Sequence, residues 1–154
     1  AKAIGDKLKQ QHLQLVTAES CTGGQLAQTI TSVSGASEWF ERGFVTYSNL
    51  SKQQTLGVDK ALLNQYGPVS EKTALAMAKG ALKQSPASIS IAITGIAGPG
   101  GGSQETPVGT IWTAWASKKS FCQALCQHYS GDRLIIRYAA VEFALKTLLS
   151  LMEK

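Results

Sequence analysis

Ser20 and Cys21 stand side by side where a short apolar run, Leu13 to Val16, gives way to Thr17-Ala18-Glu19-Ser20-Cys21-Thr22-Gly23-Gly24. A helical pattern resumes with Leu26, Ala27 and Ile30. This is the profile of a strand entering a tight turn that opens a helix. Such a turn can expose a nucleophile, and unpaired N–H groups at a helix start favour an anion or a developing oxyanion. Cys21, Thr22, Gly23 and Gly24 are therefore candidate substrate-binding residues. A second reading stays open: Ser20 or Thr22 caps the helix, and the glycines only relieve packing.

A serine nucleophile needs a base. His12 precedes the first strand and His128 falls late in the chain, neither beside a motif, so a Ser–His–Asp arrangement is not indicated. The local candidates are Tyr47 and Lys52. A lysine can act as base when burial or a neighbouring cation lowers its pKa. Tyr47 would relay a proton between Lys52 and Ser20, or donate to the leaving group. The plainer alternative leaves Lys52 solvated on a helix and Tyr47 half-buried on a strand. Cys21 is the competing nucleophile, since a thiolate at a helix start is readily activated. Glu19 reads equally as a charge partner for Lys52 or Arg133 and as a surface residue.

Gly95-Ile96-Ala97-Gly98-Pro99-Gly100-Gly101-Gly102-Ser103 is the most glycine-dense stretch. It fits neither the dinucleotide pattern nor the lysine-bearing phosphate loop. Gly95 and Gly98 either let a ligand approach the backbone or serve a tight turn. Arg133, in Ser130-Gly131-Asp132-Arg133, can fork onto a phosphate or carboxylate.

The elements that must position these residues follow from periodicity and turn signals. Helices are predicted over residues 2–11, from the nucleophile turn to about Thr31, after Ser48 or Asn49 as far as Gly57, over 59–66, from Ser70 towards Pro86, and from Asp132 to about Met152. Strands are predicted over 14–17, 43–47, 88–94, 108–117 and 121–129, the last two as a hairpin. Together they predict an α/β chain: a three-layer α/β/α sandwich around a mixed sheet of about five strands, with a C-terminal antiparallel hairpin, in a single domain over residues 1–154. Ser20, Tyr47 and Thr94-Gly95 all fall at strand ends, where such folds gather ligands.

Bulk properties narrow the function class. Hydrophobic residues make up 44% and charged residues 16%, which suits a packed core and excludes disorder. No apolar run approaches the ~20 residues of a membrane helix, and Ala1 to Lys7 lacks the apolar segment of a secretory signal. The +5 net charge is not gathered into the patch a nucleic-acid binder needs. Cys21, Cys122 and Cys126 form no C-x-x-C, and with two histidines they do not suit a structural zinc site. Cys122 and Cys126 share strand parity and are expected as buried free thiols. A cytoplasmic protein handling a small molecule, without metal, nucleic acid or membrane, is expected. A homo-oligomer is left open, with Trp39 and Phe40 assigned either to its interface or to the core.

Thr17-Ala18-Glu19-Ser20-Cys21-Thr22-Gly23-Gly24, Gly43-Phe44-Val45-Thr46-Tyr47-Ser48-Asn49 with Lys52, Gly67-Pro68-Val69-Ser70, Ile93 to Gly101, Pro107-Val108-Gly109-Thr110 and Ser130-Gly131-Asp132-Arg133 occur in an order that resembles the CinA C-terminal domain family. The resemblance spans roughly residues 5 to 150. It implies an α/β/α fold, no metal or cofactor, and hydrolysis of the carboxamide of nicotinamide mononucleotide to nicotinate mononucleotide and ammonia, a step of pyridine nucleotide recycling. It also implies Ser20 as nucleophile, Lys52 as general base and Tyr47 as its proton-relaying partner. The amides of Cys21 to Gly24, or those of Gly95 to Gly98, would hold the oxyanion. One departure is Thr106, where the family commonly has a lysine; if that lysine assists phosphate binding, affinity here would be weaker or supplied by Arg133. Two alternatives stay beside this reading: a Cys21-dependent amidase, and a non-catalytic nucleotide-binding module of the same fold.

Overall fold

The computed structural model describes residues 1–153. The elements run α1 (Lys2–Gln10), β1 (Leu15–Glu19), α2 (Gln25–Thr31), a 3-10 turn (Ala36–Glu38), β2 (Phe40–Val45), α3 (Asn49–Leu56), α4 (Lys60–Tyr66), α5 (Glu71–Lys83), β3 (Ile89–Gly95), β4 (Thr110–Ser117), β5 (Cys122–His128) and α6 (Arg133–Leu151). The five strands form one sheet in the order β2-β1-β3-β4-β5. β1 is parallel to both β2 and β3, while β3, β4 and β5 are antiparallel in turn. The mixed sheet and its C-terminal hairpin are as the periodicity predicts.

Each face of the sheet buries its own core. Leu15, Ile89, Ile91, Ile93, Ile111 and Trp115 face α1, α2 and α6, which contribute residues such as Leu8, Leu26 and Ala140. The indole of Trp115 donates to the Ala144 carbonyl at 2.9 Å, fastening α6 to β4. The opposite face carries small side chains, Val16, Ala18, Ala92, Ala114 and Ala116, against Ala74, Met77, Ala78 and Ala81 of α5. Alternating inward residues on a central strand produce this division of large and small. It lets α5 lie close to the sheet, and α3 close to α5: a Cβ on Gly80 would fall 2.1 Å from the Leu56 carbonyl oxygen.

Three expectations are corrected. β1 runs on to Glu19, because β2 and β3 pair with it on both sides through that residue. β2 begins at Phe40 and ends at Val45, earlier than predicted. Glu41 and Arg42 disguise it by composition, and an edge strand tolerates such charges. Trp39, for which interface and core both stood open, is core: it is 1% exposed, against Gly5 of α1, where any Cβ would strike its ring. The thiols of β5 also depart from expectation, since Cys122 is exposed and Cys126 half-buried. Parity places them on one face, but β5 is an edge strand whose outer side chains are incompletely covered.

Because β1, β2 and β3 point the same way, their carboxyl ends and the segments that follow meet at one rim of the sheet. No helix among the described residues is long and apolar enough to cross a membrane.

Candidate active site

The turn after β1 is built by its neighbours and its glycines. Ser20 donates its amide to Ile93 O at 2.9 Å, and Gly23 donates to Ser20 O at 3.0 Å. Gly23 (φ 57°) and Gly24 (φ 102°) both lie in the left-handed region, which other residues enter only with strain. The cap of α2 is neither Ser20 nor Thr22. Gly24 holds the cap position, and the amides of Gly24, Leu26 and Ala27 donate to the Glu19 carboxylate at 3.2, 2.8 and 3.0 Å. Glu19 is fully buried, with its carboxylate on these amides rather than on Lys52, Arg133 or the surface.

Lys52 comes from α3. A reciprocal pair of serines, Ser48 and Ser51, caps this helix. Helical side chains lean towards the N-terminus, so Lys52 reaches back over the loop that precedes its own helix. Its Nζ lies 2.9 Å from Thr46 O, 3.4 Å from Tyr47 O and 3.0 Å from Ser20 Oγ. Lys52 is 1% exposed and Ser20 8% exposed. The salt bridges of the described residues are surface pairs such as Lys7–Glu153 and Lys146–Glu142, and none involves Lys52. Burial without a counter-ion pushes the Lys52 ammonium below its ordinary value of 10.5.

Lys52 and Ser20 thus touch without an intermediary. The Tyr47 hydroxyl takes another partner: Arg133 Nη2 donates to it at 2.9 Å, while Nη1 donates to Gly98 O at 2.7 Å. Asp132 caps α6 by accepting from Ile135 N, which sets Arg133 in the first turn. Arg133 therefore bridges the Tyr47 wall and the glycine-loop wall of a cleft of about 490 Å³. Ser20, Cys21, Tyr47, Lys52, Gly95, Gly98 and Arg133 all line it.

Thr22, Gly23 and Gly24 do not line this cleft. Thr22 is fully buried, and the two glycines border a separate hollow beside Arg137 and Tyr138. The turn doubles back into α2, so only its first two residues face the cleft. Of its amides, those of Gly23 and Gly24 are already bonded, leaving Cys21 and Thr22 without a protein acceptor among the described residues. Across the cleft the amides of Ala97 and Gly98 likewise have no protein partner among the described residues. The Cys21 thiol is pushed up to about 11, chiefly by burial, although its own backbone amide, Arg137 and Arg133 pull the other way.

The whole arrangement lies within the reach of one family model. Residues 1–152 match the model described as the CinA C-terminal domain. The chain belongs to that family. It is 48% identical over 148 residues to nicotinamide-nucleotide amidohydrolase PncC of Escherichia coli (strain K12), covering 96% of this chain and 90% of that protein. It is 47% identical over 153 residues to a CinA-like protein of Akkermansia muciniphila, covering 99% of this chain but 37% of that longer protein. The crystal structure of a competence/damage inducible protein from Agrobacterium tumefaciens superposes with a TM-score of 0.95 at 43% identity, covering 97% of this chain and 92% of that one.

Within this CinA-type domain the cleft has a wall that the residue chemistry did not single out: Tyr66, Gly67, Pro68 and Val69, between α4 and α5. Thr94 Oγ1 donates to Pro68 O at 2.7 Å, tying that wall to the end of β3. The signal was present as Gly67-Pro68, a helix stop directly before a capped helix, but nothing local says that the stop faces Ser20. Thr106 lines the cleft too, at the glycine-loop side.

Proposed function

We propose that the chain is an amidohydrolase acting on the carboxamide of nicotinamide mononucleotide, yielding nicotinate mononucleotide and ammonia through a serine ester. The observation that carries this reading is the 3.0 Å contact between a buried Ser20 hydroxyl and a buried Lys52 amine. The name of the E. coli relative supports the substrate class.

The hydrogen-bond inventory around Nζ suits a base. A neutral amine has two N–H donors and one lone pair. The carbonyls of Thr46 and Tyr47 take the two donors, and the lone pair turns to the Ser20 hydroxyl. Ser20 Oγ bonds to the carboxamide carbon as its proton passes to Lys52 Nζ. Lys52 then hands that proton to the amide nitrogen as the C–N bond breaks and ammonia leaves. Water attacks the resulting ester, giving one proton to Lys52, which returns it to Ser20 Oγ as the ester C–O bond breaks; the acid formed keeps the other and loses it to solvent as the carboxylate product departs. The Tyr47 hydroxyl, held by Arg133, steadies the departing nitrogen.

The free amide of Cys21, or those of Ala97 and Gly98 opposite, receive the oxyanion. Arg133 retains N–H groups beyond its two bonds and meets the phosphate, a role Thr106 cannot share as a lysine would. About 490 Å³ suits one mononucleotide.

The test is ammonia release from nicotinamide, its riboside and its mononucleotide, measured with wild-type and Ser20→Ala proteins. The mononucleotide is expected to be turned over best, and Ser20→Ala to lower kcat by about 10⁴-fold or more. A Ser20→Ala protein with wild-type turnover would remove the serine assignment. Mononucleotide binding with no ammonia would make the chain a binding module.

A further inference from the structure

Two side chains that touch neither the cleft nor each other hold the nucleophile turn from opposite sides. Glu19 does so from the sheet. It directly precedes Ser20, is fully buried, and gathers the amides of Gly24, Leu26 and Ala27 onto its two oxygens. The carboxylate therefore fixes where the turn must end and α2 begin. Arg137 does so from α6, donating from Nη2 to Thr22 O at 2.8 Å across 115 residues of chain. Neither is a member of a salt bridge among the described residues. Two side chains of a charge-bearing kind thus serve backbone groups of one five-residue turn.

The arrangement has a consequence for the amides. Glu19 satisfies three of the N–H groups at the start of α2, at Gly24, Leu26 and Ala27. Among the described residues the amides of Cys21 and Thr22 have no protein acceptor, and of the two only Cys21 lines the cleft. Arg137 pulls on the carbonyl of Thr22 and so sets the peptide plane between Thr22 and Gly23. The position of the Ser20 hydroxyl over Lys52 and the direction of the free Cys21 amide are fixed together.

We infer that Glu19 and Arg137 are positioning residues, which clamp the Ser20–Gly24 turn so that the nucleophile meets Lys52 while the Cys21 amide stays open to the oxyanion. This rests on the amidohydrolase reading for its catalytic consequence, but not for the clamp itself. A misplacement of about 1 Å at such a turn costs on the order of 10²-fold in rate.

The test combines kinetics on nicotinamide mononucleotide with amide hydrogen exchange of the folded protein. Glu19→Gln keeps the shape of the side chain but sets an NH₂ group against backbone donors. It is expected to lower kcat by about 10²-fold with KM changed by no more than about threefold. Arg137→Met is expected to lower kcat by about 10-fold, and Arg137→Lys to restore part of it, since an ammonium can still reach Thr22 O. Exchange should quicken at residues 20–27 in Glu19→Gln and Arg137→Met while the central strands keep their protection. That local change is read without substrate, so it separates failure of the clamp from failure of the amidohydrolase assignment. Folded variants with wild-type kcat and unaltered exchange at the turn would overturn the inference. So would a loss of rate matched by faster exchange throughout the sheet, which is general destabilisation. If Glu19→Gln does not fold, the Arg137→Met and Arg137→Lys pair decides by the same criteria.

Discussion

The two ends of the sheet both open into hollows, and the larger one is at the wrong end for this chemistry. The cleft at the carboxyl ends of β1 and β3 measures about 490 Å³, while the hollow at their amino ends, beside the β4–β5 hairpin, measures about 860 Å³. The larger hollow has cations too, Lys118 and Lys119, but both are exposed, and Lys118 Nζ simply donates to Pro86 O. At the cleft the cation is buried, has no carboxylate, and faces a hydroxyl. Concavity is therefore a poor marker of a site in this molecule. What distinguishes the cleft is the direction of the strands: three parallel carboxyl ends deliver a turn, a loop and a helix start to one rim, together with amides that nothing else uses.

Lys52→Met breaks this contrast most severely, since it makes the cleft as inert as the far end. Turnover is expected to fall by about 10³-fold or more, because Ser20 then lacks the group that takes its proton. Wild-type activity should rise with pH as Lys52 loses its proton, with its midpoint below the ordinary lysine value of 10.5. Stability gives a second readout, with a defined sign. Burial lowers the folded-state pKa, so between that lowered value and 10.5 the unfolded chain binds more protons than the folded one. Wild-type stability therefore climbs with pH across this window and is flat on either side. Below the window the folded protein carries the full cost of a buried ammonium. Thermal melts of wild type and Lys52→Met should thus compare most favourably for the variant at low pH, the difference shrinking towards pH 10.5. A constant difference across that range would mean that Lys52 titrates as an exposed lysine does.

Cys21→Ala sharpens the contrast within the cleft itself. Cys21 lines it beside Ser20, yet burial pushes its thiol to about 11, so near neutrality it holds its proton. The thiolate is the nucleophilic form, which leaves chemistry to the serine. Turnover by Cys21→Ala is expected within about threefold of wild type, with the small loss due to packing. Collapse of turnover in a folded Cys21→Ala protein would transfer the nucleophile to sulfur.

How far all this could be read from the chain depended on whether the needed contact was local. The strand-turn-helix profile around Ser20 and the helix start before Lys52 are short-range patterns, and both elements form where periodicity puts them. That Lys52 reaches Ser20 is a tertiary fact: the residues alone offered Lys52 as a candidate base beside a solvated alternative, and the family resemblance chose between them. Glu19 shows the limit in the other direction. Its partners lie within eight residues, yet they are backbone amides, which carry no residue-type signal. Thr22, Gly23 and Gly24 were placed with the substrate because glycine marks backbone freedom, not the side to which a turn folds back. The Tyr66–Val69 wall escaped for a different reason. A loop between two helices meets Ser20 only because α5 packs across the small-residue face of the sheet. The incompletely covered thiols of β5 repeat the lesson: alternation assigns a face, but only topology tells that the strand is an edge.

The smallest effect is expected at the far end, where Lys119→Glu reverses an exposed charge beside the larger hollow. β3 alone, seven residues long, separates the two ends by about 20 Å at a strand's rise per residue. That exceeds two Debye lengths at physiological salt, near 8 Å each, so the field of the reversed charge is largely screened before it reaches Lys52. The backbone amide of Lys119, which donates to Ser117 Oγ at 3.2 Å, remains in the variant, so the hairpin turn keeps its bond. Both kcat and KM on nicotinamide mononucleotide should stay within about twofold of wild type, and the melting temperature within a degree or so. The measurement gains force when repeated at low salt, where the Debye length grows to about 30 Å at 0.01 M. A change confined to low salt would be plain Coulomb coupling across the sheet. A change that persists at physiological salt would mean that the far hollow communicates with the cleft through the strands themselves, and the division of the molecule into a working end and an inert one would fall.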